Sequence, residues 1–233
     1  MFRLVKAGLT AITLLAASLS TVAAEQHQRP QIAHAGGAID GRTYTNSIEA
    51  LDFNAARFKL FELDLIEVDG TLTCRPDFWS RALTWVGKRT RFNACTMATL
   101  ATWLAQNPHA KIVTDVKTDN LKGLQILASI FPEQLDRFIP QLYQPENYEF
   151  VRQLGFKDII WTLYRYEGSQ EQIVRLSETM PLYAITMPVR MARTGLAQKL
   201  NVATYAHTVN SAQSWQRLKA LGVNQIYTDG VGL

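Results

Sequence analysis

Cysteine, charge and long apolar runs are all scarce in this chain, and each shortage removes a class of function. Two cysteines and four histidines in 233 residues form no Cys/His cluster with zinc spacing. Only 19% of residues are charged, 24 basic against 20 acidic. No stretch concentrates the basic ones into a stripe, so no nucleic-acid partner is expected. Beyond the first two dozen residues, no apolar run approaches the roughly 20 residues that cross a bilayer. No internal repeat, low-complexity tract or interdomain linker breaks the chain. What is present is a 47% hydrophobic sequence of a length that suits one large domain with a sizeable core.

The N-terminus is set apart by composition. Arg3 and Lys6 precede an apolar stretch from about Ala7 to Leu19, and Val22-Ala23-Ala24 supplies small side chains for cleavage. Residues 1–24 are read as a signal peptide, which predicts a periplasmic or secreted protein with a mature domain at 25–233. Removing Arg3 and Lys6 lowers the formal charge from +4 to +2. That mild excess suits an anionic phosphate ligand or weak contact with a lipid surface. In an oxidising compartment, Cys74 and Cys95 are expected to pair.

Residues 31–65 carry the chemistry. A short apolar run ends at His34 and is followed by Gly36 and Gly37; a helix is expected to open at Asn46-Ser47. A second apolar run, Phe61-Glu62-Leu63-Asp64-Leu65, alternates acids with large apolar residues. In a strand, residues two apart share a face, so Glu62 and Asp64 project together, as two oxygen ligands gripping a hard cation do. Carboxylates on the inner face of a buried strand need a counter-charge.

Further strand-like runs fall at Lys111–Lys117, Phe138–Tyr143, Asp158–Tyr164, Leu182–Met187, Val202–Thr208 and Gln225–Thr228, with helical patterns between them. In the last of these, over Asn210–Leu221, Asn210 is the expected cap with Gln213 at the capping-box position, and Gly222 ends the helix. With the runs ending at His34 and Leu65, the count is eight. Eight strands alternating with helices suggest a (β/α)8 barrel, with a doubly wound open sheet as the alternative. In such a barrel the strand C-termini build the site, which draws His34, Glu62, Asp64, Asp115, Lys117, His207 and Asp229 together. Gln141, Tyr143, Trp161, Tyr164 and Arg165 stand at the ends of strands four and five and are candidate pocket residues. Residues 66–94 read as a long irregular connection. His27, ahead of the first strand, reads as a disordered N-terminal residue, and His109 as solvated in a turn.

The order of motifs resembles that of the glycerophosphodiester phosphodiesterase and phosphatidylinositol phospholipase C-like superfamily. His34 and Gly36 give H-x-G, Asn46-Ser47 the x-N-[ST] at a helix start, Glu62 and Asp64 the E-x-D, and Asp69-Gly70 the D-G. The resemblance implies a single (β/α)8 domain and a phosphoric diester hydrolase acting on a glycerophosphodiester or phospholipid headgroup through a cyclic phosphate. It also implies one divalent cation, Mg²⁺ or Ca²⁺, on Glu62, Asp64 and Asp115, with Asp115 and Lys117 standing where the family has E-x-K. Asn46, Arg75, Lys117, Gln141, Tyr143 and Trp161 are the expected substrate contacts.

His34 is the natural acid or base, because an imidazole titrates near neutrality. The family's second histidine is absent: Pro76-Asp77 stands where H-D is expected, and proline moves no proton. His207 and Asp77 are the candidate replacements, with Arg75 as a charge stabiliser. A family member that has lost turnover and binds a phosphorylated ligand or a protein partner is the alternative reading.

Overall fold

The computed structural model describes residues 29–76 and 92–230. The expected signal peptide, His27 and Asp77 lie outside them. Eight parallel strands form the barrel: β1 (Ile32–Ala33), β2 (Leu60–Val68), β4 (Lys111–Val116), β5 (Phe138–Leu142), β6 (Ile160–Thr162), β7 (Ala184–Pro188), β8 (Thr204–His207) and β9 (Gln225–Thr228). Ile32 of β1 registers with Leu60 of β2 on one side and with Tyr227 of β9 on the other. The ring therefore closes, and the open-sheet alternative is excluded.

Period-two alternation sorts the strand residues into two layers. Ile32, Leu60, Val113, Ile139, Ile160, Ala184, Tyr205 and Tyr227 pack together inside the barrel. Their chain neighbours Ala33, Phe61, Ile112, Trp161, Ile185, Ala206 and Ile226 belong to the larger core, the layer between strands and helices. Each fully buried large side chain in these layers contributes about 1.5–3 kcal/mol. Two residues beyond the apolar plug, the same inward parity selects His34, Glu62, Asp115, Gln141, Thr162, Thr186, His207 and Asp229. The barrel is thus apolar at its base and polar at the C-terminal mouth.

The segment after β2 differs from expectation. β2 runs on to Val68, turns at Asp69-Gly70 and returns as the antiparallel strand β3 (Thr71–Cys74). Asp69 and Gly70 both have positive φ, 51° and 77°. Two such residues in succession are what a tight hairpin turn needs, and Asp-Gly supplies them cheaply. A hairpin thus occupies ground expected to be irregular, since its strands are too short and its outer face too polar to announce themselves. Cys74 bonds to Cys95, which pins the end of β3 to the start of helix α2 (Met97–Gln106).

Helix α1 (Ile48–Asn54) begins as expected, with Ser47 accepting from the Ala50 amide at 3.2 Å. Such a cap contributes about 1 kcal/mol. The last helix corrects the expectation. It spans Ala212–Ala220 and is capped by Ser211, which accepts from Ser214. Asn210 is not its cap, because the asparagine side chain is committed elsewhere.

Candidate active site

A cavity of about 520 Å³ opens at the C-terminal mouth of the barrel. His34, Glu62, Asp64, Asp115, Lys117 and His207 all line it, as does Arg75 from the end of β3. Glu62 and Asp64 are almost fully buried. One oxygen from each of Glu62, Asp64 and Asp115 lies within 4.8 Å of the other two. This is a hard, all-oxygen donor set of the kind that holds a divalent cation.

The cluster's charge is compensated in part. Lys117 Nζ stands 2.8 Å from Asp64 Oδ1 and 2.6 Å from Asp115 Oδ2. Arg75 adds a looser contact, 3.6 Å from Asp64 Oδ2. Among the described residues, Glu62 accepts from the Ala35 amide alone, at 2.8 Å. Burial, then the charges of Asp64 and Asp115, push the Glu62 carboxyl well above the usual range. Burial alone would lower the Lys117 ammonium, but Asp115, Glu62 and Asp64 outweigh it and raise the group. The Glu62 carboxyl therefore holds its proton more tightly in this cluster, and an added cation would favour its charged form.

His34 is built into a second arrangement. Its Nδ1 lies 2.9 Å from Asp229 Oδ1. Asn210 Nδ2 donates to the other oxygen of Asp229, while Asn210 Oδ1 accepts from the Asp229 amide and the Thr228 hydroxyl. Tyr44 packs its ring edgewise on the imidazole at 4.4 Å between centroids. The histidine is thereby fixed in orientation, with Nε2 left for the cavity.

His207 ends β8, as expected, and its ring reaches the cavity. Its Nε2 is shut off from solvent and has no partner among the described residues. Burial, with smaller contributions from His34 and Lys117, lowers its pKa to about 4. The ring is therefore neutral at pH 7.

The remaining expected contacts divide. Gln141 lines the cavity, as do Tyr164 and Arg165. Tyr143 donates its hydroxyl to Asp115 and carries the Arg165 guanidinium over its ring at 4.5 Å. Asn46 is not among the described residues that line this cavity; its Oδ1 accepts from the Asp64 amide at 2.9 Å and its Nδ2 donates to the Arg75 carbonyl at 3.1 Å. It positions both residues. Trp161 is a correction: it is fully buried in the strand–helix layer, because its parity points outward, and Thr162 lines the cavity in its place. Pro76 is half-buried beside Arg75. His109 is exposed in a turn, as expected.

Sequence reasoning missed Tyr44, Thr162, Tyr227 and the bracing role of Asn210. Strict parity along β6 and β9 would have found Thr162 and Tyr227. Tyr44 sits in a loop and gave no signal.

No protein-family model matches the chain, and no curated protein matches it in sequence. Solved structures do match. A glycerophosphodiester phosphodiesterase from Parabacteroides distasonis ATCC 8503 superposes with a TM-score of 0.65 at 15% identity, over 86% of this chain and 92% of that one. A phosphodiesterase from Oleispira antarctica, in complex with the product sn-glycerol-3-phosphate, gives 0.62 at 14% identity, over 86% and 93%. At these identities the likeness establishes the (β/α)8 barrel as the shared fold.

Proposed function

We propose that the chain is an exported phosphodiesterase of the glycerophosphodiester type, acting on a glycerophosphodiester or phospholipid headgroup. The observation that carries the reading is the convergence of a braced His34–Asp229 pair with the Glu62, Asp64 and Asp115 cluster in one barrel mouth. A solved barrel of the same fold holding sn-glycerol-3-phosphate supports a small phosphodiester as the ligand.

Glu62, Asp64 and Asp115 would hold one divalent cation, Mg²⁺ or Ca²⁺, which when bound neutralises charge on the phosphate oxygens. The chain's own groups do the rest. Asp229 accepts from His34 Nδ1–H, so Nε2 carries the lone pair and takes the proton of a substrate hydroxyl adjacent to the phosphorus. That hydroxyl oxygen bonds to phosphorus, the bond to the departing alkoxide breaks, and a cyclic phosphate results. From its place beside Asp64 and Asp115, Lys117 would contact a phosphate oxygen.

In this reading no substitute acid replaces the missing second histidine. A His207 ring with a pKa of about 4 holds no transferable proton at pH 7 and serves as a neutral hydrogen-bonding group. The leaving oxygen then departs unassisted, and turnover depends steeply on leaving-group pKa.

The test is divalent-metal-dependent hydrolysis of glycerophosphocholine, glycerophosphoinositol, phosphatidylinositol and bis-p-nitrophenyl phosphate, run beside His34→Ala and His207→Ala. Activity lost in His34→Ala is expected. Complete loss in a folded His207→Ala would instead make His207 the proton donor. Cation binding without hydrolysis of any member would replace the enzyme with a phospho-ligand-binding barrel.

A further inference from the structure

Among the described residues, three cationic side chains line the cavity, and they are not equivalent. Lys117 is engaged by Asp64 and Asp115, and Arg75 leans on Asp64. Arg165 is different. Among the described residues no carboxylate lies within ion-pair distance of it, and its guanidinium stands over the Tyr143 ring at 4.5 Å. Tyr143 is itself fixed, buried and bonded through its hydroxyl to Asp115. The guanidinium thus stands one phenol ring away from the carboxylate cluster, on the β5–β6 side of the mouth.

Two more groups on that side are uncommitted. The side chains of Gln141 and Thr162 line the cavity and are each 3% exposed. Neither donates a hydrogen bond within the described residues. An amide and a hydroxyl that line the cavity can hydrogen-bond a bound ligand in place of water. Next to an unpaired guanidinium, whose planar fork matches carboxylate and phosphate oxygens, the fitting partner is an anion.

We infer that Arg165, with Gln141 and Thr162, forms a second anion subsite, selecting phosphodiesters whose headgroup carries an additional phosphate or carboxylate. The inference rests on the proposed phosphodiester chemistry for the position of the first phosphate. Tyr143 does not offer its face to a quaternary ammonium headgroup, because Arg165 covers it.

Calorimetric binding and initial rates separate the two readings. The probes are glycerophosphoinositol 4-phosphate and N-acetylated glycerophosphoserine, which carry a second anion, against glycerophosphoinositol and glycerophosphocholine, which do not. A second charge-assisted contact predicts roughly tenfold tighter binding for at least one of the doubly anionic pair. Arg165→Gln should collapse that ratio towards unity, more than it weakens binding of the singly charged probes. A gain for the phosphorylated probe alone, or for the carboxylate alone, identifies the anion. Equal affinity for all four overturns the subsite. So does an Arg165→Gln variant that weakens every probe alike, since Arg165 would then serve the scissile phosphate. A preserved binding ratio with no hydrolysis of any probe defeats the phosphodiesterase proposal and leaves the subsite standing. Hydrolysis without preference does the reverse.

Discussion

His34 Nδ1 and Asp229 Oδ1 meet at 2.9 Å although 195 residues separate them. β1 and β9 are neighbours in the closed ring, so barrel closure itself assembles the pair. Asn210 secures the carboxylate from the loop before the last helix. Asp229→Asn should therefore leave the barrel folded and reduce kcat by at least about tenfold, with little change in KM, because it disturbs the tautomer and angle of His34. Asn210→Ala should produce a smaller loss of the same kind. An unchanged kcat in Asp229→Asn would remove Asp229 from the mechanism.

Glu62 provides a test of cation binding that needs no substrate. Its carboxyl is pushed up by burial and by Asp64 and Asp115. Such a group retains its proton longer in the folded than in the unfolded chain, so without a cation it costs stability as pH rises above its unfolded value. Glu62→Gln should melt higher than the wild type at pH 7 in chelator. Saturating Mg²⁺ or Ca²⁺ should reverse the order. Binding at a hundredfold excess over Kd adds about 2.7 kcal/mol to the wild type, and Glu62→Gln should gain far less. A wild-type melting temperature indifferent to both ions would count against the site.

The Cys74–Cys95 bond closes a loop with a sequence separation of 21, which restrains the unfolded chain by roughly 3 kcal/mol. It also lies against the site. The Cys95 amide donates to the Asn46 carbonyl, and Asn46 clamps Asp64 and Arg75. The double variant Cys74→Ala/Cys95→Ala should lose stability by about that amount in denaturant titration. Its affinity for the divalent cation should fall as well. Lost stability with unaltered cation affinity would confine the bond to a structural role.

Much of this architecture is legible in the sequence because its causes are local. Eight apolar runs became eight barrel strands, and the E-x-D spacing placed Glu62 and Asp64 on one face, since the strand period is two and nothing in the tertiary structure can alter it. Errors arose where partners are distant or signals weak. Trp161 is a candidate pocket residue by its place at a strand end, yet its parity buries it. Asn210 matched a capping pattern, but bonds to Asp229 and Thr228 outcompete it there and Ser211 takes over. The β3 hairpin was invisible because four residues of mixed polarity carry little periodicity. The pairing of His34 with Asp229 depends on closure, which no local pattern encodes.

His207 supplies a prediction about acid stability. Burial, aided by His34 and Lys117, lowers its pKa to about 4 in the folded protein, against about 6.5 in an unfolded chain. Between these values the unfolded state binds the proton and the native state does not, so stability falls as pH drops through that window. Above it, both states are neutral and the residue contributes no slope. The integrated loss is on the order of 3 kcal/mol for a shift of this size. Glu62 slopes the opposite way over part of the range, so the informative quantity is the difference between wild type and His207→Gln at each pH. Relative to its own value at pH 7.5, the variant should lose less stability than the wild type on going to pH 4. Parallel curves would show that the His207 ring is solvated or paired in solution, and the neutral hydrogen-bonding role assigned to it would fall with them.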